Sequence, residues 1–151
     1  TVGGSLNLWP VSVPTIREVA NSVGAVVLFD AAHLSGMFAG GMWPSPLAAG
    51  AHIMTMSTYK SLGGPPAGLI VTNDAGIAET LDYIAFPGMT ANFDAAKSAA
   101  LAIAMLDWRD HGEAYANAMI DTARALAAEL QKQTVDELLK HRLLLHRFSD
   151  L

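Results

Sequence analysis

Two residues of this chain place a carboxylate and an amine at the ends of apolar runs. Asp30 closes Ala25-Val26-Val27-Leu28-Phe29, and Lys60 stands three residues after the run from His52 to Ser57. A carboxylate at the end of a buried strand is costly unless a cation or a hydrogen-bond donor meets it. A lysine inside the Thr/Ser/Gly-rich stretch Thr58 to Gly64 is not a packing residue. Taken singly, each has an ordinary reading: Asp30 as a loop or capping carboxylate facing water, Lys60 as a solvated amine. Taken together, they fall at the carboxyl ends of successive strands, the edge of an open α/β sheet at which ligands bind.

A lysine amine forms a Schiff base (an aldimine) with a carbonyl cofactor. A carboxylate on a pyridine nitrogen keeps that nitrogen protonated, so that the ring accepts electron density when a bond to the substrate Cα breaks. Pyridoxal 5'-phosphate (PLP) chemistry needs both groups. His33, three residues after Asp30, could lie against such a ring or its phenolic oxygen. It reads equally as a satisfied loop histidine, or as a metal ligand with Asp30, although no third ligand has diagnostic spacing. His52, His111, His141 and His146 have no evident partners and read as surface or strand-edge residues. Trp9, Trp43 and Trp108 are isolated by spacing and read as packing or interface residues.

The elements that must position these groups follow from periodicity and punctuation. Ser12-Val13-Pro14 opens a helical pattern to about Val23, with Ser12 as cap and Pro14 in the first turn. The run 25–29, bounded by Gly24, predicts a strand covered on both faces. Residues 31–51 hold Gly36, Gly40, Gly41, Pro44, Pro46 and Gly50 and predict an irregular connection with one helical turn around Leu47. Strands are expected at 52–57 and 68–72, then a helix capped by Asn73 or Asp74. After the break Phe86-Pro87-Gly88, Ala-rich helices are expected at about 93–108 and 113–131. This order predicts an α/β fold, a sheet flanked by helices. Residues 131–151 differ: their Leu, Lys, His and Arg pattern suits an amphipathic helix forming a partner surface, or equally an unrelated, non-native ending.

The chain has 151 residues, 9 Lys+Arg against 14 Asp+Glu, and no cysteine. Its length suits one domain with a real core. No basic cluster offers a footprint for nucleic acid, and no thiolate metal site or disulfide framework is possible. No signal-like leader and no apolar stretch of membrane-spanning length is present. A soluble, cytoplasmic chain is therefore expected, with no nucleic-acid or membrane partner. The sequence opens without Met, consistent with a start part-way through a larger protein.

Several of these residues, in order, resemble the serine hydroxymethyltransferase family. Asp30-Ala31-Ala32-His33-Leu34-Ser35-Gly36 is similar to its Asp-x-Ala-His-x-x-Gly segment. Pro44-Ser45-Pro46 is similar to its Pro-Asn-Pro, and Ser57-Thr58-Tyr59-Lys60-Ser61-Leu62-Gly63-Gly64-Pro65 to its lysine loop. Gly68-Leu69-Ile70, Phe86-Pro87-Gly88, Gly3-Gly4-Ser5 and Arg17-Glu18-Val19-Ala20 continue the likeness.

The resemblance implies that residues 1–130 are the latter part of the large domain of a fold type I PLP enzyme, with 131–151 a divergent tail. It implies Lys60 as the aldimine lysine, Asp30 on the pyridine nitrogen and His33 on the phenolic-oxygen side. It implies Ser5 near that oxygen and the substrate, and Thr58 close to the lysine. The implied activity is hydroxymethyl transfer or aldol-type cleavage of a serine/glycine-like β-hydroxy amino acid, with tetrahydrofolate a candidate one-carbon acceptor. The implied assembly is a homodimer or a site completed by another chain. In the family the phosphate loop and a ring-stacking histidine precede this segment, and the substrate-carboxylate arginine follows it. Three departures stand out. Tyr59 replaces a histidine, Pro66 replaces an arginine, and Met89-Thr90-Ala91-Asn92 replaces a Gly-rich stretch. They suit a relative acting on another β-hydroxy or α-methyl amino acid. Two alternatives remain at this level: a catalytically silent module acting through self-association or a partner, and another fold type I enzyme such as an aminotransferase or a threonine aldolase-like protein.

Overall fold

The computed structural model describes the backbone of residues 1–5 and 11–148, and the side chains there except at Val135, Asp136 and 138–148. Trp9 and the side chains of His141, His146 and the apolar residues of the 138–148 tail therefore lie outside the described residues. The chain divides into two compact units, Thr1–Ala116 and Asn117–Leu151.

The first unit is built on a four-stranded sheet in the order β1 (Val2–Gly3), β2 (Leu28–Asp30), β3 (Ile53–Ser57), β4 (Gly68–Thr72). The first three strands run parallel, and β4 returns antiparallel to β3. Helices α1 (Val13–Ser22), α2 (Ser35–Ala39) and α3 (Ala75–Tyr83) connect or follow them, and α4 is Ala95–Phe148. The α/β expectation holds.

The core joins Val13 and Ala20 of α1 to Val27, Phe29, Ala31, Met54, Met56 and Leu62, with Phe38, Met105 and Trp108 packed against it. Phe29 meets Phe38 edge to face at 5.8 Å, and Phe38 meets Trp43 at 6.1 Å. On β3, Met54 and Met56 are buried while their neighbours are only partly so, the alternation a strand imposes.

Four local readings change. The run 25–29 is not covered on both faces: Val27 and Phe29 are 3% and 5% exposed, but Val26 is 56% exposed. Strand alternation sends consecutive residues to opposite sides, and pairing begins only at Leu28. The connection 31–51 contains a true helix, α2, besides the turn near Leu47. Ser12 stands at the cap position of α1, but its hydroxyl meets Thr15 Oγ1 at 2.8 Å instead of a backbone N–H. Finally, no break separates 108 from 113, where α4 continues through Gly112. A Cβ there would lie 2.7 Å from the Trp108 ring, so the missing side chain makes room for the indole. Asp74 caps α3 as expected, Oδ1 accepting from the Ile77 N–H at 2.9 Å.

Between α3 and α4, Ile84–Met89 is a wide turn with Phe86 extended (φ −146°, ψ 126°) before cis Pro87. In the second unit the described residues are helical, with exposed ion pairs Asp121–Arg124 at 3.6 Å and Glu129–Lys132 at 3.5 Å. No described helix is long and apolar enough to cross a membrane.

Candidate functional site

The register of the sheet aligns three chain segments at one edge. Gly3 stands opposite Asp30, and Asp30 opposite Thr55, so β1, β2 and the neighbouring β3 carry their following loops to the same side. The backbone continues the alignment past the strands. Gly4 N–H donates to Asp30 O at 2.9 Å, and Ala31 N–H donates to Thr55 O at 2.8 Å. Gly3 has φ +87°, and a Cβ on it would lie 2.3 Å from Asp30 O. Only glycine brings this backbone so close to the acid and sets exposed Ser5 two residues beyond.

Asp30 is half-buried, and its Oδ1 accepts the Ala32 N–H at 2.9 Å. This short local bond orients the carboxylate. Among the described residues its second oxygen has no partner. The chain then turns over Ala31, whose carbonyl accepts from Leu34 and Ser35 at 3.0 and 3.1 Å, and enters α2. His33 lies on this turn with its side chain exposed.

The lysine loop closes on Thr58, which is fully buried. Its N–H donates to Ala67 O at 3.0 Å, and its carbonyl accepts Gly64 N–H at 2.7 Å. Its hydroxyl proton faces the carbonyls of Pro65 and Ala67. Gly63, at φ +66°, returns its N–H to Lys60 O at 2.9 Å. Leu62 is 3% exposed, and its carbonyl accepts the Trp108 indole N–H at 2.7 Å, so α4 braces the loop from outside. Lys60 itself stays at the rim, its Nζ 5.8 Å from the centre of the exposed Tyr59 ring. Among the described residues it has no carboxylate partner.

Asp30 at the end of β2, and Ser5, His33, Thr58 and Lys60 on the segments that follow β1, β2 and β3, thus lie along one sheet edge. Several contributors escaped the sequence reading. Ser61 links the two loops, and Trp108 supplies a hydrogen bond beyond its packing. His52 Nδ1 accepts the Val27 N–H at 2.8 Å, tying the start of β3 to β2. The visible signal for Ser61 was its place directly after Lys60. Nothing in the sequence marks the other two. A hollow of about 250 Å³ lies between Leu62–Gly63 and α4, lined also by Asp107, Trp108, His111 and Tyr115. Neither Asp30, His33 nor Lys60 lines it, so it is not where the acid and the amine would act. No group of three metal-ligating side chains exists among the described residues.

An oriented carboxylate with one open oxygen and an amine held at the same edge suit the ring nitrogen and the carbonyl carbon of PLP. The donor set fits those two ends of the cofactor. Such a sheet, with an acid and an amine at the carboxyl ends of adjacent parallel strands, is the ligand-binding edge of an α/β enzyme-type fold.

The chain belongs to the serine hydroxymethyltransferase family, whose model matches residues 3–140; this is a family of PLP-dependent enzymes. It is 68% identical over 130 residues to an alpha-methylserine aldolase of Variovorax paradoxus, covering 86% of this chain and 30% of that protein. A second alpha-methylserine aldolase, of a Ralstonia species, is 57% identical over 133 residues, covering 88% of this chain and 30% of that protein. A serine hydroxymethyltransferase of Korarchaeum cryptofilum is 39% identical over 140 residues, covering 93% of this chain and 32% of that protein. The chain therefore spans about a third of the length of these relatives.

Proposed function

We propose that this chain carries the Schiff-base half of a PLP-dependent aldol-cleaving site, acting on an α-methyl β-hydroxy amino acid in preference to serine. The observation that carries the reading is the alignment of Gly3, Asp30 and Thr55, which delivers an oriented carboxylate and the lysine loop to one edge. PLP, when bound, supplies a pyridinium that takes up electron density as the substrate Cα–Cβ bond breaks. Lys60 would hold its carbonyl end and Asp30 its ring nitrogen. His33 would serve its phenolic-oxygen side, Ser5 that oxygen and the substrate, and Thr58 shapes the loop that carries the amine. Holding these groups in place, instead of recruiting them from solution, supplies much of the rate.

Preference for an α-methyl substrate is supported by relatives. The two alpha-methylserine aldolases share 68% and 57% of aligned residues with this chain, against 39% for the hydroxymethyltransferase. Tyr59 and Pro66 depart from the hydroxymethyltransferase pattern and suit a relative acting on another β-hydroxy or α-methyl amino acid. Cleavage of α-methylserine breaks Cα–Cβ, releases the β-carbon with its oxygen as formaldehyde, and leaves alanine once Cα takes a proton. That balance closes without a one-carbon acceptor, so tetrahydrofolate is not a required reactant of this cleavage. Residues 1–130 fit the latter part of a PLP-binding domain, and the family match continues past 130 to 140.

The test is formaldehyde release by the PLP-loaded protein carrying this sequence, from α-methylserine and from serine, with and without tetrahydrofolate. Release from α-methylserine without tetrahydrofolate is expected. Serine cleavage that requires tetrahydrofolate would return the assignment to hydroxymethyl transfer. Amino transfer to a keto acid would move it to another fold type I activity.

A further inference from the structure

Ser61 follows the Schiff-base lysine directly, and its single hydroxyl joins the lysine loop to the Asp30 turn. The Oγ–H donates to the His33 carbonyl at 2.6 Å. The same oxygen accepts the Gly36 N–H at 3.0 Å. Ser35 Oγ lies 3.4 Å away. Because the Ser61 proton is already directed at His33 O, Ser35 is the donor in that third contact. One donor and two acceptor sites are then all engaged, which is the full capacity of a hydroxyl. Ser35 is 2% exposed, so that end of the cluster is buried, while Ser61 is half-buried and the His33 end faces solvent.

Gly36 makes the approach possible. A Cβ on it would lie 2.5 Å from the Ser61 carbonyl oxygen, against backbone that cannot move aside. The two loops therefore touch main chain to main chain at this point, and one hydroxyl holds both ends of the turn from His33 to Gly36. Asp30 is three residues before that turn, with its carboxylate tied to Ala32 N–H. Lys60 is one residue before the hydroxyl.

We propose that Ser61 is a positioning residue that sets the spacing between the amine of Lys60 and the carboxylate of Asp30. This rests on the PLP reading for its consequence but not for its geometry. Without the hydroxyl, the lysine loop keeps its closure on Thr58 and its brace from Trp108, yet it loses its register against the Asp30 turn. Cofactor binding then weakens although the fold persists.

The experiment compares wild type, Ser61→Ala, Ser61→Thr and Lys60→Ala in two readouts. On the cofactor-free protein, amide hydrogen exchange reads Gly36, whose N–H has Ser61 as its acceptor. Protection there is expected to fall about tenfold in Ser61→Ala and to return in Ser61→Thr, which keeps a hydroxyl. Unchanged Gly36 exchange in Ser61→Ala would overturn the clip. With added PLP, the Kd of the Lys60-dependent visible band is expected to rise about tenfold in Ser61→Ala and to stay within about threefold of wild type in Ser61→Thr. An unchanged Kd in Ser61→Ala, beside a wild-type band, would overturn the positioning role. If Ser61→Ala proves too unstable, the Thr variant still decides, since loss of protection or band with the hydroxyl present contradicts the proposal. A wild type with no Lys60-dependent band would refute the PLP reading instead, and the exchange result would still judge the clip.

Discussion

The sheet-edge loops and the segment from Tyr83 to Phe93 use the same kinds of residue to opposite ends. In the first region the Thr58 and Ser61 hydroxyls and one Asp30 oxygen are tied to backbone groups of the neighbouring loops. Thr58 and Leu62 are 0% and 3% exposed, and two glycines let backbones meet. In the second, Tyr83, Phe86, Met89 and Phe93 are 57–81% exposed, and the local bonds, such as Thr90 Oγ1 to Ala85 O at 2.6 Å, stay within the turn. The difference shows where this sequence invests its packing. The acid–amine geometry is held by the chain's own core, whereas the apolar turn adds little to that core.

Stability measurements can break or sharpen the contrast. Phe29→Ala removes a 5%-exposed ring between β2 and α2 and should cost about 3–5 kcal/mol in urea unfolding. Phe86→Ala and Phe93→Ala, at 57% and 81% exposure, should change stability by no more than about 0.5 kcal/mol. Comparable losses at both places would erase the distinction. Trp108→Phe keeps an aromatic ring but strips the donor from Leu62 O. It should cost about 1–2 kcal/mol, and a neutral result would mean that α4 does not brace the lysine loop.

The smallest effect is expected at Arg109. Its guanidinium hydrogen-bonds Asp110 at 2.8 Å and holds that carboxyl below its usual range, opposed by slight desolvation and helped by the nearby His111. A depressed folded value means that any stabilisation is present above the unfolded carboxylate range and is lost as pH falls through the folded value. Both side chains are solvent-exposed, so Arg109→Ala should leave unfolding unchanged. An NMR titration should nevertheless show Asp110 moving up toward an ordinary carboxylate; an unmoved titration would dismiss the pair.

Much of the edge was legible in the sequence because strand ends announce themselves. Apolar runs stop at Asp30 and near Ser57, and the glycines after each mark tight loops. What was not legible depends on distant contacts. Ser61 meets residues 25 and 28 positions away, and no local pattern predicts that. The helix α2 is five residues long and carries an internal glycine, too short for periodicity to register. The pair Val2–Gly3 is shorter still. Gly112 reads as a helix breaker until the indole it accommodates is known; its helix cost of about 1 kcal/mol is offset by the Trp108 ring, which also meets Tyr115 at 5.5 Å.

The site itself is tested most directly by asking which lysine takes PLP. The chain has four lysines, Lys60, Lys97, Lys132 and Lys140, so selectivity can be read within one molecule. After incubation with PLP and borohydride reduction, peptide mass spectrometry should place the pyridoxyl group on Lys60, well above the other three. The label should vanish in Lys60→Ala and fall in Asp30→Asn. Equal labelling of all four lysines, or labelling at Lys60 indifferent to Asp30, would contradict a cofactor site built from this acid and this amine.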